Sequence, residues 1–301
     1  MSDADRVDVR SRMTGWVMAA RPATLPAAVV PVLVGTGLAI GDRHLRPIVF
    51  IATLVGSLLI QIGTNFANDF FDFQKGADND DRLGPVRVTQ SGIFTPYQVM
   101  VATLLTFGLA VADGLYLASV GGVPIVLVGL CAIACGVAYT GGPYPLGYHG
   151  LGDVFCFVFF GLVAVDGTYY LQTGSLSVAA VIAAVPVGLL CTNILVVNNL
   201  RDIDTDRAAG KRTLAVRMGR AATKRQYLLF LLIAYTLPLT LQMAGASSIF
   251  LFWLPYLTVP RAVRLVWFVE RNQGRLLNKA LRDTAQLHLI YGVLFAASLL
   301  H

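Results

Sequence analysis

The stretch NNLRDIDTDRAAGKRTLAVRMG, residues 198–219, stands where a long apolar run breaks abruptly into charge. Asn198, Asp202 and Asp206 recur every fourth residue, so on a helix they stack along one face. Arg201, Arg207, Lys211, Arg212, Arg217 and Arg220 crowd close by. Oxygen ligands suited to a hard cation therefore sit beside donors suited to phosphate. The pattern predicts a metal and diphosphate site at the end of a membrane helix.

Composition supplies the membrane. The chain has 301 residues, of which 56% are hydrophobic and only 13% charged, and its mean hydropathy is +0.67. Such a chain belongs in lipid. A hydrocarbon core of roughly 30 Å needs about 20 apolar residues per helix. Nine runs near 23–41, 47–72, 97–119, 123–140, 153–172, 178–200, 224–243, 247–268 and 284–300 meet that need. They are too long and uninterrupted for barrel strands, so an all-α polytopic fold with nine transmembrane helices is expected. Residues 21–301 are expected to form one transmembrane domain.

The net charge of +6 is a matter of topology. With the N-terminus placed in the cytoplasm, all but Arg43 and Arg46 of the 23 Lys and Arg fall on the cytoplasmic side. That is the positive-inside pattern, and with nine spans it leaves the C-terminus outside. Attraction to anionic lipid accounts for the rest, which argues against a nucleic-acid partner. Residues 1–20 lack an apolar signal-peptide core, so no cleaved leader is expected. Arg6, Arg10 and Arg12 set against Val7, Val9, Met13, Trp16 and Val17 predict a short interfacial helix or a cytoplasmic tail. Cys131, Cys135, Cys156 and Cys191 all fall within spans, where they read as small packing residues.

A second polar stripe answers the first. Gln61, Asn65, Asn68 and Asp72 follow one face of the second span, and polar side chains inside lipid must face a cavity or partner helices. Asp69 stands one position off that face, and beyond Lys75 the loop mixes Asp78, Asp80 and Asp81 with Arg82 and Arg87. The stripes end the second and sixth spans. Four helices apart, their host helices run parallel, so both polar ends lie at one depth. A third turn on the same side, YTGGPYPLGYHGLGD from Tyr139, is rich in Gly and Pro and prescribes a defined loop whose tyrosines can line a pocket. Asp113 and Asp166, lone acids in or near apolar runs, read as structural contacts or outer-interface residues.

These motifs resemble those of the UbiA-type intramembrane aromatic prenyltransferases, and among them most closely the 1,4-dihydroxy-2-naphthoate polyprenyltransferase branch of menaquinone synthesis. The resemblance is carried by RPATLPAAVVPVLVG from Arg21, NDFFDFQKGADNDDRLGP from Asn68, the Tyr139 turn with FFGLVAVDGTYY after it, and the 198–219 stretch. NKALRDTAQLHLIYG from Asn278 is also similar. The wider superfamily's first motif reads N-D-x-x-D-x-x-x-D. Here the last position is Gly76 and the next acid is Asp78, the form expected of the naphthoate branch.

The resemblance implies transfer of a polyprenyl group from polyprenyl diphosphate to 1,4-dihydroxy-2-naphthoate, with loss of CO2 and diphosphate, in a lipid bilayer. It implies Mg2+ held by Asn68, Asp72, Asp202 and Asp206, with Asp69 and Asn198 next. Lys75, Arg201, Lys211 and Arg212 would neutralise the diphosphate. Gln61, Asn65, Phe70, Phe71, Tyr139 and Tyr144 would line the acceptor and prenyl pocket, the aromatic faces steadying an allylic cation. Asp153 would orient or deprotonate a ring hydroxyl, or simply cap its helix. The cytoplasmic membrane is the implied location.

Other readings fit less well. A CDP-alcohol phosphotransferase keeps its acids in one continuous D-G-x-x-A-R motif, absent here. A transporter would spread its ionisable residues along a path through the bilayer, whereas these concentrate at one face. Within the family, phytyl transfer or another prenyl transfer to a related aromatic acceptor is the nearest alternative, with 4-hydroxybenzoate prenylation behind it.

Overall fold

The computed structural model describes residues 3–76, 83–85 and 87–300, with side chains from residue 12 onward. Asp78, Asp80, Asp81 and Arg82, and the side chains of Arg6, Val7, Val9 and Arg10, lie outside the described residues. Among the described residues there is no strand, and the chain runs α1 (Asp3–Ala20), α2 (Pro26–Gly41), α3 (Pro47–Gln74), α4 (Pro96–Gly121), α5 (Val123–Ala138), α6 (Gly152–Cys156), a π-helical turn (Phe157–Val163), α7 (Ala164–Thr173), α8 (Val178–Ala208), α9 (Leu214–Met243), α10 (Val259–Arg271) and α11 (Leu277–Ser298).

Local chemistry sets the helix starts. Pro47 opens α3 after an extended Arg46, where its missing N–H costs nothing. Thr95 and Gln98 form a capping box around Pro96 at the start of α4. Thr213 accepts from the Val216 N–H to start α9. Five residues into α9, Gly219 adopts φ 79° and ψ 170° and breaks it, so a short piece carrying Arg217 precedes the long helix.

Five segments are long and apolar enough to cross a membrane: α3, α4, the continuous Gly152–Thr173 run, α8 and α9. A sixth is the pair Arg12–Thr24 and Pro26–Gly41, bent by 51°. The rest of the expected nine fall short for local reasons. The Tyr139-Thr-Gly-Gly-Pro turn stops α5 at 16 residues. Residues 247–268 divide into turns, a 3-10 piece (Leu254–Thr258) and the 13-residue α10, whose Arg261 and Arg264 interrupt the apolar run. Lys279, Arg282 and Asp283 occupy the first turns of α11.

Helix α8 is the axis of the bundle. Of its apolar window 78% is buried, against 22–33% for the other four long segments. Close packing there depends on two glycines. A Cβ on Gly161 would stand 2.8 Å from the Cα of Gly188, so only hydrogen at both positions lets the π-turn cross α8 at that depth. Asn193 then donates from Nδ2 to the Tyr227 carbonyl at 3.0 Å, tying α8 to α9. At the other side of the bundle Trp16 of α1 stacks on Phe94 at 4.0 Å and meets Phe66 edge-on, while Met13 and Val17 stay exposed. One face of the N-terminal helix is thus docked on α3 and on the loop before α4.

Candidate active site

A cavity of about 610 Å³ is walled by α2, α3, α4, α5, the π-turn and α8. On α3 it is lined from Thr53 to Asp72, nineteen residues at 1.5 Å each, or about 28 Å of depth. One end is polar: Gln61, Asn65, Asn68 and Asp72 face Asn198, Asp202 and Asp206 across it, with Arg21, Arg87, Tyr139, Tyr148 and Lys211 completing the rim. The other is apolar, with Leu117, Ile125, Ile133 and Leu171. Phe155 of α6 lines the wall, and the π-turn widens the helical repeat, so Phe159, Phe160 and Val163 line it as well. Asp113 lines the apolar length, and Cys135, Cys156 and Cys191 also border the cavity.

The α3 carboxylate is held from outside its helix. Asp72 is buried, and Oδ1 accepts from the Tyr148 hydroxyl at 2.9 Å and from Lys211 Nζ at 3.4 Å. Its Oδ2 accepts from Arg87 Nη2 at 3.2 Å. The Tyr148 ring also faces Lys211 Nζ, 4.5 Å from the centroid, and Lys75 Nζ at 5.1 Å. Asn68 accepts from Thr140 Oγ1 at 2.7 Å, and Asn65 donates to the Ala20 carbonyl at 2.9 Å. Backbone bonds from Arg212 N to the Tyr148 carbonyl (2.8 Å) and from Gly147 N to the Tyr139 carbonyl (2.9 Å) fix the 139–150 turn against the loop after α8.

The α8 carboxylate is held from within. Arg201 grips Asp202 with both ends of its guanidinium, Nε to Oδ1 at 2.7 Å and Nη2 to Oδ2 at 2.5 Å, and donates from Nη2 to Asn198 Oδ1 at 2.9 Å. Asp206 makes no hydrogen bond or ion pair through its carboxylate among the described residues. It lies within Coulombic reach of Lys211, Asp202, Asp72 and Arg201. Both motifs therefore share one electrostatic environment.

Several sequence-predicted residues point elsewhere. Asp69 accepts from the backbone N–H (3.2 Å) and hydroxyl of Thr89, a loop contact away from the cavity. Phe70 packs with Phe66, Val88 and Phe94, and Phe71 meets it edge-on at 5.2 Å, so neither ring lines the cavity. Tyr144 is 57% exposed and stacks on His149. Arg201 is 2% exposed and its guanidinium is spent on Asp202, Asn198 and Asn278, which leaves it no face toward a diphosphate. Arg212 is exposed and does not line the cavity. Asp153, expected near a ring hydroxyl, is buried behind the wall and accepts from Gln226 Nε2 at 2.7 Å and Asn199 Nδ2 at 3.5 Å. Lys75 donates to the Thr140 carbonyl at 2.6 Å, and partial burial lowers its pKa, opposed by Asp72 and aided by Lys211.

The donor set can be tested against a metal. Among the described residues no three His, Cys, Asp or Glu side chains converge on one point. An all-protein cage is thus not built, but carboxylate and amide oxygens from two helices do border one cavity. That fits Mg2+, which keeps several waters and binds through one or two carboxylates together with substrate phosphates.

The sequence profile of the UbiA prenyltransferase family matches residues 28–291. The chain belongs to the UbiA prenyltransferase family. It is 36% identical over 292 residues to the 1,4-dihydroxy-2-naphthoate octaprenyltransferase of Escherichia coli (strain K12), covering 95% of this chain and 94% of that protein. To the enzyme of the same name from Mycobacterium tuberculosis (strain ATCC 25618 / H37Rv) it is 39% identical over 288 residues, 94% and 96% of the two chains. The fold matches a UbiA homologue from Archaeoglobus fulgidus bound to DMAPP and Mg2+, with a TM-score of 0.66 at 14% identity, covering 92% of this chain and 97% of that one.

Sequence reasoning gave no role to two rim residues of this UbiA chain, Arg21 and Arg87, and noted Tyr148 only as one of the tyrosines of the 139–153 turn. Each stands alone in a loop or turn, with no periodicity to mark its direction. Arg21 and Tyr148 carried a signal of position, Arg21 opening the first quoted motif and Tyr148 sitting within the Gly- and Pro-rich turn, whereas Arg87 falls two residues past the motif that ends at Pro85.

Proposed function

We propose that this chain transfers a polyprenyl group from polyprenyl diphosphate to 1,4-dihydroxy-2-naphthoate with a divalent metal, Mg2+, as cofactor, releasing diphosphate and CO2 and giving a demethylmenaquinol. The observation that carries the reading is the facing of two oxygen-rich helix ends across one cavity whose remaining length is apolar. Relatives that bear the naphthoate name over nearly their whole length support the acceptor.

Asp72, Asp202 and Asp206, with Asn68 and Asn198, are the residues that would hold Mg2+, which supplies charge neutralisation for a departing diphosphate. Lys211, Arg87 and Lys75 bind and neutralise the same group from the rim. Their preorganised charge lowers the cost of breaking the allylic C–O bond. The apolar cavity excludes water from the resulting cation, and Tyr139 presents an aromatic face to it. The ring carbon that bears the carboxylate attacks, the new C–C bond forms, and departure of CO2 returns the electron pair that restores the aromatic ring. Gln61 and Asn65 offer amide groups to the acceptor, and Asp153 acts through Asn199.

In this reading all nine apolar segments cross the cytoplasmic membrane around the cavity. Residues 21–301 form one transmembrane domain, residues 1–20 lie at the cytoplasmic interface, and the C-terminus is external. The test is prenyl transfer by purified protein in lipid with Mg2+, a labelled polyprenyl diphosphate, and either 1,4-dihydroxy-2-naphthoate or 4-hydroxybenzoate. Metal-dependent product from the naphthoate alone is expected. Product from 4-hydroxybenzoate alone would overturn the acceptor, and metal-independent product would overturn the site.

A further inference from the structure

Asn278, in the first turn of α11, is 80 residues from one motif and more than 200 from the other, yet its side chain connects both. Its Oδ1 accepts from Arg201 Nη1 at 2.7 Å, and the other guanidinium atoms of Arg201 grip Asp202 and Asn198. Its Nδ2 donates to the Leu83 carbonyl at 2.8 Å. Leu83 lies four residues before Arg87, whose Nη2 donates to Asp72. A single amide thus braces the α8 motif through Arg201 and anchors the loop that carries the counter-ion of the α3 motif.

The chemistry of the clamp is one-sided. Arg201 is 2% exposed, and a guanidinium so buried needs acceptors for its donors. Asn278 takes the edge that the motif leaves over. Without it, Nη1 is orphaned, the guanidinium is free to turn, and both Asp202 and Asn198 lose their fixed direction. Groups that orient metal ligands in this way govern affinity by about 10–100-fold although they never touch the ion.

We propose that Asn278 is a positioning residue for the metal and diphosphate site, acting on the α8 motif through Arg201 and on the α3 motif through the Leu83–Arg87 loop. The inference rests on the functional reading above. Its test therefore reads metal binding without any acceptor: electron paramagnetic resonance titration of free Mn2+ against the full-length protein in lipid, with geranyl thiodiphosphate present. Asn278→Ala is expected to weaken Mn2+ binding by about tenfold. Asn278→Leu, which keeps asparagine's branching at Cγ without its polar atoms, carries the same expectation where the alanine variant does not fold. Asn278→Gln, which keeps both polar groups, is expected to recover affinity to within about threefold of the parent.

A merely structural asparagine would lower the fraction of active protein and leave Mn2+ affinity where it was. Mn2+ affinity within twofold of the parent in folded Ala or Leu variants overturns the proposal. Prenyl transfer to the naphthoate, measured on the same parent sample, keeps the two readings apart. Its absence with tight Mn2+ binding would refute the acceptor, while the Asn278 result would stand or fall on the titration alone.

Discussion

The two acidic helix ends look alike in sequence and are built in opposite ways. Asp72 on α3 is held by Tyr148, Lys211 and Arg87, which come from three separate loops. Asp202 on α8 is held by the residue next to it, and that residue is braced from α11. The α8 carboxylate keeps its direction as long as its own helix does. The α3 carboxylate is neutralised by two cations whose loops must first fold together, and both, Lys211 and Arg87, are assigned with Lys75 to the diphosphate. Ligand binding then asks little of the α8 side and an exchange of partners on the α3 side.

That contrast yields a ranked set of expectations. Replacing either motif carboxylate should cost most: Asp72→Asn or Asp202→Asn is expected to lower kcat roughly 10²–10³-fold, read as prenyl transfer at saturating Mg2+. Rim cations come next. Lys211→Ala and Arg87→Ala each remove a charged hydrogen bond of about 1.5–3 kcal/mol, so KM for the prenyl diphosphate should rise by about tenfold or more while the naphthoate KM holds. An equal rise in both would mean that these residues only shape the cavity.

The frame has its own expectation. Gly161→Leu pushes a side chain into Gly188 and should destabilise the folded protein by about 1–3 kcal/mol, measured as a lower midpoint in thermal unfolding. An unchanged midpoint would show that α8 is not crossed closely there. Tyr148→Phe keeps the ring between the lysines and deletes one hydrogen bond to Asp72, worth about 0.5–1.5 kcal/mol, so a drop of about two- to tenfold in kcat/KM is expected.

The smallest effect is in pH. Burial lowers the Lys75 pKa, so its positive charge is lost at a lower pH than an ordinary lysine's. If Lys75 binds diphosphate, the prenyl diphosphate KM should climb as pH rises through the alkaline range. Lys75→Arg, which stays charged, should flatten that climb. Parallel profiles for the two proteins would remove Lys75 from the diphosphate site.

Much of this architecture is legible in the sequence because lipid makes polar residues informative. Gln61, Asn65, Asn68 and Asp72 share a helical face, and a polar face in an apolar helix has to meet something polar. The same logic selected Asn198, Asp202 and Asp206, and all seven line the cavity. Periodicity names a face but not what stands opposite it. Asp69 and Phe70 sit one and two positions from Asn68, and the loop they meet, with Thr89, Val88 and Phe94, decides their direction.

Arg201 fails for a similar reason: nothing near it in the chain reveals Asn278. Hydropathy alone does not show where an apolar run is one long helix and where it is broken. A run of apolar residues does not show that Tyr139-Thr-Gly-Gly-Pro ends α5 early, or that the 247–268 segment breaks into a 3-10 piece and a short, arginine-bearing helix.

The account's central claim is that the two motifs act as one site. A double-mutant cycle tests it most directly, with diphosphate release and prenyl transfer measured for Asp72→Asn, Asp202→Asn and the pair together. One shared site predicts that the double variant is scarcely worse than either single one, because the first substitution already removes what the second would. Losses that multiply, each motif contributing its full factor in the absence of the other, would contradict it.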